Sequence, residues 1–203
     1  MRQIIMVQHT QSLHHTNGMV GSWTDWDLTD EGICQAKTIA KKLSLEISKE
    51  KWVLYSSDLL RARHTADIIA WELGIKPILR HELRERNLGA AVGKSVEWLR
   101  ANIENKEVTI DDRCFRDAES VRDVWGRLVP FFEQINLLSE ENAIIVSHGE
   151  TLGIFAAMWA RMKPEALESF SFRGKAGGVT FMKKDSGGKR TIERFSDMSY
   201  IKQ

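Results

Sequence analysis

Apolar positions along the chain fall into short unbroken runs and longer stretches with helical spacing. Ile4-Ile5-Met6-Val7 is a run of four near the start, which reads as a strand buried on both faces. It ends abruptly in Gln8, His9 and Thr10. Residues 11–28 carry little periodicity and read as a long ordered loop over whatever lies at His9. Thr29 then N-caps a helix with acids in its first turn, and Ile33, Ala36, Ile39, Ala40 and Leu43 form its apolar face. Residues 52–55 are a short strand. Ser56, Ser57 and Asp58 are expected to break it and cap a helix that runs to about Leu73 and stops at Gly74. Residues 77–79 predict another strand, 83–93 a loop, 95–102 a short helix and 105–118 a polar connection. A helix spans 119–138, with Pro130 predicting a kink or a break. A strand at 143–146, a helix over 151–161 and a final hairpin of 177–184 with 191–195 complete the pattern.

Strands alternating with helices predict an α/β fold, a three-layer sandwich in which a mainly parallel sheet is flanked by helices. With no repeat, low-complexity tract or linker, residues 1–203 read as a single domain, and 83–118 as a candidate lid or insertion. In such sheets ligands bind beyond the carboxyl ends of the strands, which is where His9 falls. The pattern has a second copy. Ala143-Ile144-Ile145-Val146 runs into Ser147-His148-Gly149-Glu150-Thr151, so two strands each deliver a histidine to the same kind of edge.

Composition narrows the partners. With 42% hydrophobic and 28% charged residues and a net charge of +1, nothing points to nucleic acid or an anionic membrane. Cys34 and Cys114 form no C-x-x-C pair and are too few for a disulfide scaffold. The N-terminal apolar run is too short for a signal peptide, and no run approaches the ~18 residues of a membrane span. The expected location is the cytoplasm.

Several blocks carry more. They are Val7-Gln8-His9-Thr10-Gln11-Ser12, Trp23-Thr24-Asp25, Leu28-Thr29-Asp30-Glu31-Gly32, Ser57-Asp58-Leu59-Leu60-Arg61-Ala62, Leu83-Arg84-Glu85, Ala118-Glu119-Ser120, and Val146-Ser147-His148-Gly149-Glu150-Thr151-Leu152. Any one is weak. In this order, over nearly the whole length, they resemble the histidine phosphatase superfamily, the phosphoglycerate mutase-like group. The resemblance implies a nucleophilic His9 that takes the phosphoryl group, a phosphate-binding Arg61, and a second histidine, His148, on the phosphoryl oxygens. It also implies Glu85 as proton donor to the leaving oxygen, with Glu82 as rival. The chemistry fits: neutral imidazole is nucleophilic near pH 7, and phosphoryl transfer needs positioning and positive charge.

Departures from the family pattern matter as much. Gln8-His9-Thr10 stands where the family has Arg-His-Gly, so a charge beside the nucleophile is missing. Arg84, Arg86, Lys94 and Lys175 are the candidates to replace it. Gln8, Thr10, His15, Asn17, Trp23 and Gly149 are the further candidates for phosphate or substrate contact. His9, His14, His15 and His148 invite a metal, but no ligand spacing matches a known pattern, so neither metal nor organic cofactor is expected. The reading is a phosphatase of a small phosphomonoester, for which a homo-oligomer is an admissible state. A phosphoglycerate mutase-type transfer and a catalytically weak relative that binds phospho-ligands or a partner are the rivals.

Overall fold

The computed structural model describes residues 2–47, 51–137 and 141–202. The first apolar run becomes β1 (Arg2–Gln8), and the run at Ala143 becomes β4 (Asn142–Ser147). They pair in parallel at the centre of the sheet, Val7 opposite Val146 and Gln8 opposite Ser147. This register brings the next residues of both strands out together: His9 N–H donates to the Ser147 carbonyl at 2.9 Å. β2 (Trp52–Ser57) lies parallel on the far side of β4, and β3 (Pro77–Arg80) lies parallel outside it. β5 (Val179–Lys184) and β6 (Arg190–Asp197) extend the other side as an antiparallel hairpin. The sheet is therefore mixed, in the order β3-β2-β4-β1-β5-β6. A tight turn permits only antiparallel neighbours, whereas the crossovers between the other strands carry helices.

Alternation along the strands builds two apolar layers. Ile4, Met6 and Ile145 pack under α4 (Val121–Leu137) and α5 (Gly149–Trp159), meeting Val124, Leu128, Phe131 and Phe155. Ile5, Val7, Leu54 and Val146 pack under α1 (Asp30–Glu46) and α2 (Leu60–Leu73), meeting Ile39, Leu43, Ala66 and Ile69. Each fully buried aliphatic side chain contributes about 1.5–3 kcal/mol, so both layers anchor the central strands. The Thr29 hydroxyl caps α1 by accepting from Gly32 N–H at 3.0 Å. Gly32 itself is required, because a Cβ there would lie 1.9 Å from the Gln11 carbonyl. Gly74, at φ 66°, ends α2 in the left-handed conformation.

Three expectations are corrected. β2 continues through Ser57, and neither Ser56, Ser57 nor Asp58 supplies the helix cap. Asp58 instead binds the Arg84 guanidinium through both oxygens, at 2.7 and 2.8 Å. Asp25, from the long loop, accepts from Leu60 N–H at 3.3 Å. The helix predicted over 151–161 is α5, which begins at Gly149 with His148 as its N-cap residue and ends at Trp159. Finally, the break that Pro130 allowed does not occur, and α4 runs through it as one helix. Pro130 faces solvent while Val124, Leu128, Phe131 and Ile135 hold the inner face; packing overrides a poor local residue. Leu138, the expected end of that helix, lies outside the described residues. Segment 83–118 is packed on its own small core of Ala91, Cys114, Phe115 and Ala118, with α3 (Val96–Asn102) against it. Among the described residues, no helix is long and apolar enough to cross a membrane.

Pro130→Ala should stabilise the protein. Proline in a helix interior costs about 3 kcal/mol relative to alanine, and about 1 kcal/mol returns through the stiffer unfolded chain. The expected net gain is roughly 1–2 kcal/mol, read as a higher urea midpoint. An unchanged or lower midpoint would contradict the packing argument.

Candidate active site

Arg61 is the hub of the site. It is 1% exposed and lies in the first turn of α2. Its Nη1 donates to the Thr24 carbonyl and its Nη2 to the Ser22 carbonyl, both at 2.8 Å. Its Nε donates to His9 Nε2 at 3.3 Å. The loop over 11–28 is thus folded around the guanidinium. The other nitrogen of His9, Nδ1, donates to the Thr10 carbonyl at 2.8 Å. This assigns the tautomer: the proton is on Nδ1, and Nε2 presents its lone pair. Burial, then Arg61, holds His9 well below the usual histidine range, so it is neutral. Burial brings Arg61 down to about 10, against the pull of Glu85 and Asp25, and it remains charged at neutral pH.

His148 faces His9 with 5.1 Å between ring centroids. Its Nε2 is 2.8 Å from Ser57 Oγ, and its Nδ1 is buried with no protein partner among the described residues. Ser57 Oγ accepts from Leu59 N–H at 3.2 Å, so its hydroxyl proton is available to His148 Nε2, leaving an open Nδ1–H on the ring that faces His9. Burial and Arg61 keep His148 neutral as well. Glu85 sits on the N-terminus of α5. Its carboxylate accepts from Thr151 N–H at 3.3 Å, Thr151 Oγ1 at 3.2 Å and Glu150 N–H at 3.4 Å. Arg127 holds the backbone leading to it, donating to the carbonyls of Glu82 at 2.6 Å, Arg84 at 3.1 Å and Glu85 at 3.3 Å, and is braced by Glu119. Ser57, Thr151 and Arg127 carry weight that the spacing of the sequence did not assign to them.

The remaining candidates separate. His15 stacks on His9 at 5.5 Å and 11°, and His14 lies 5.8 Å from His9. Trp23 braces the site, its Nε1–H on the Glu85 carbonyl and its ring under the Arg84 guanidinium at 4.9 Å. Thr10 is committed to the scaffold, its hydroxyl donating to the Gly32 carbonyl at 2.8 Å and its N–H to Thr65 Oγ1 at 3.3 Å. The Asn17 side chain accepts from Met19 N–H at 2.9 Å and borders α3. Gln8 is turned toward the α5 face of the sheet, between Gly149 and Gly174. Of the cations named to replace its charge, Arg84 pairs with Asp58, Arg86 with Glu107 and Glu150, and Lys94 lies over Trp98. A cavity of about 400 Å³ opens beside Gly149, lined by Arg86, Glu150, Phe170, Phe172 and Arg173 among others. Burial raises the Glu150 carboxyl there to about 7, against Arg86.

One ring nitrogen each of His9, His14 and His15 lies within 4.8 Å of the others, the spacing of a metal triad. Yet the Arg61 guanidinium touches His9 Nε2, where a cation would have to sit. The constellation favours an anion.

The family model of the histidine phosphatase superfamily, branch 1, matches residues 4–197. The chain belongs to that superfamily. Among its relatives is the 2,3-bisphosphoglycerate-dependent phosphoglycerate mutase of Azorhizobium caulinodans, 28% identical over 177 residues, which cover 82% of this chain and 85% of the relative. In fold, this histidine phosphatase superfamily member is similar to Bacillus stearothermophilus YhfR (TM-score 0.84, 24% identity, 100% of each chain). It is also similar to a phosphoserine phosphatase from Entamoeba histolytica solved with phosphoserine (TM-score 0.78, 22% identity, 98% of this chain and 99% of the other).

The two buried neutral histidines make stability depend on pH. Both titrate below the ordinary 6.5 when folded, so below about 6.5 the unfolded chain takes up protons that the folded one does not. Their contribution is fully present above that pH and is lost below it, by up to about 1.4 kcal/mol per histidine per pH unit. Urea midpoints should fall from pH 7 to pH 5; a flat or rising midpoint would contradict the burial argument.

Proposed function

We propose that the chain is a phosphomonoester phosphatase that works through a phosphohistidine on His9. The observation that carries this reading is the fixed tautomer of His9, with Nδ1 tied to the Thr10 carbonyl, Nε2 against Arg61 and the His148 ring 5.1 Å away. As Arg61 Nε–H turns from Nε2 to a phosphoryl oxygen, Nε2 attacks phosphorus in line and the bond to the ester oxygen breaks. Arg61 and the Nδ1–H of His148 hold the equatorial oxygens, where charge accumulates. Glu85, in its acid form, gives a proton to the departing oxygen. Water then attacks the phosphohistidine, loses its proton to Glu85 and releases inorganic phosphate. The substrate is a small phosphorylated molecule, and the proposed setting is the cytoplasm. None of these steps calls on a metal or organic cofactor.

A mutase is the second reading, favoured by the curated relative. A mutase must hold a second anionic group of its substrate; Arg84, Arg86 and Lys94 are engaged within the protein, which weighs toward hydrolysis, and Arg173 on the cavity beside Gly149 is the residue a mutase would use. The missing charge at Gln8 argues for a slow enzyme: its amide can still donate but cannot neutralise charge, and a charged donor is worth about 1.5–4 kcal/mol, on the order of ten- to a thousandfold in rate.

A panel of phosphorylated metabolites, read by product, tests the reading. Free phosphate is expected, and an isomerised ester without free phosphate would favour the mutase. Glu85→Gln should slow alkyl phosphates by about a hundredfold or more while sparing nitrophenyl phosphate, whose leaving group needs no proton. Equal losses on both would assign Glu85 a structural role.

A further inference from the structure

We propose that His14 is the ionisable cation of the oxyanion site, taking up a proton when a tetrahedral dianion binds beside His9 and releasing it when the anion leaves.

The inference starts from the partners of three clustered imidazoles. His9 spends Nδ1–H on the Thr10 carbonyl and keeps Nε2 as the nucleophile. His15 Nδ1 accepts from Ser12 N–H at 3.1 Å. It therefore carries its proton on Nε2, and a second proton would break that bond. His14 differs. Its Nδ1 meets Ser12 Oγ at 2.6 Å, and a hydroxyl can either donate or accept. Its ring can hold one proton or two without losing that partner. His14 is also within reach, 4.0 Å from His15 and 5.8 Å from His9 by ring centroids.

Charge balance supplies the need. Arg61 is the permanent cation in contact with His9, and two of its N–H groups already serve Ser22 and Thr24. A dianion on Arg61 leaves about one negative charge unmatched. The groups acting on His14 are His15 beside it and Arg61 from α2, and His14 acts in turn on His9 at the end of β1 and His148 at the start of α5. The acids Asp25 and Glu85 act on Arg61. In the free protein burial, His15 and Arg61 hold His14 down to about 3. A bound dianion reverses that field.

The proposal rests on the His9 pocket being an oxyanion site, not on turnover. The probe is inorganic sulfate, a dianion throughout the range used. Its dissociation constant is measured on the full chain by calorimetry from pH 5 to pH 7 at fixed ionic strength, in buffers of different ionisation enthalpy. Binding should weaken about tenfold per pH unit with uptake of about one proton per sulfate, as linkage to a single group requires. His14→Gln should bind weakly with no slope and no proton uptake. His14→Arg should bind tightly, also without slope. A slope that survives in His14→Gln, or a flat parent protein, would overturn the role of His14 while leaving the oxyanion site standing. Failure of the parent protein to bind sulfate at any pH would overturn both.

Discussion

A guanidinium buried to 1% exposure is the constraint on which the site depends. Burying a charge without partners is prohibitively costly, so Arg61 dictates what surrounds it. Two carbonyls of the 11–28 loop, those of Ser22 and Thr24, must turn inward to it, and the third acceptor is Nε2 of His9 itself. The loop is held to that course from outside, by Asp25 on the first turn of α2 and by backbone bonds such as Val20 N–H to the Lys94 carbonyl. The packed segment after β3 is therefore part of the support of the site.

The same charge, after burial, bears on the protonation of the histidines nearby. His9 and His148 emerge from adjacent parallel strands and are neutral, through burial first and Arg61 second. Neutrality leaves an acceptor nitrogen on one and an open N–H on the other, the division of labour that the proposed attack on phosphorus needs. Glu85 faces the same charge from the N-terminus of α5, steadied by Trp23 and Arg127. Two arginines near the site are neutralised, Arg84 by Asp58 and Arg86 by Glu107 and Glu150, while Arg173 lines the cavity beside Gly149.

Much of this was readable in the chain because it is local. Ile4-Ile5-Met6-Val7 and Ala143-Ile144-Ile145-Val146 announce buried strands, and the polar residue after each announces an edge. Thr29 and Gly74 punctuate helices where their chemistry predicts. What escaped was set by distant partners. Ser57 and Asp58 look like helix-capping residues, but His148 and Arg84 claim them. Thr10 looks like a phosphate neighbour, yet its hydroxyl is drawn to the Gly32 carbonyl at the start of α1. Pro130 looks like a helix breaker, but sits on the outer face of a helix fixed by its inner one. No spacing rule reveals that a single 3-10 turn, Leu13–His15, brings His14 and His15 back onto His9.

The central claim is that His9 Nε2 carries the phosphoryl group between substrate and water. Rapid acid-free quenching of the protein during turnover of a labelled phosphomonoester, followed by peptide mapping, tests it directly. The account predicts an acid-labile, base-stable phosphoryl group on the peptide containing His9, absent in His9→Ala, which also loses turnover. Full turnover in His9→Ala, or label on any other residue, would contradict it.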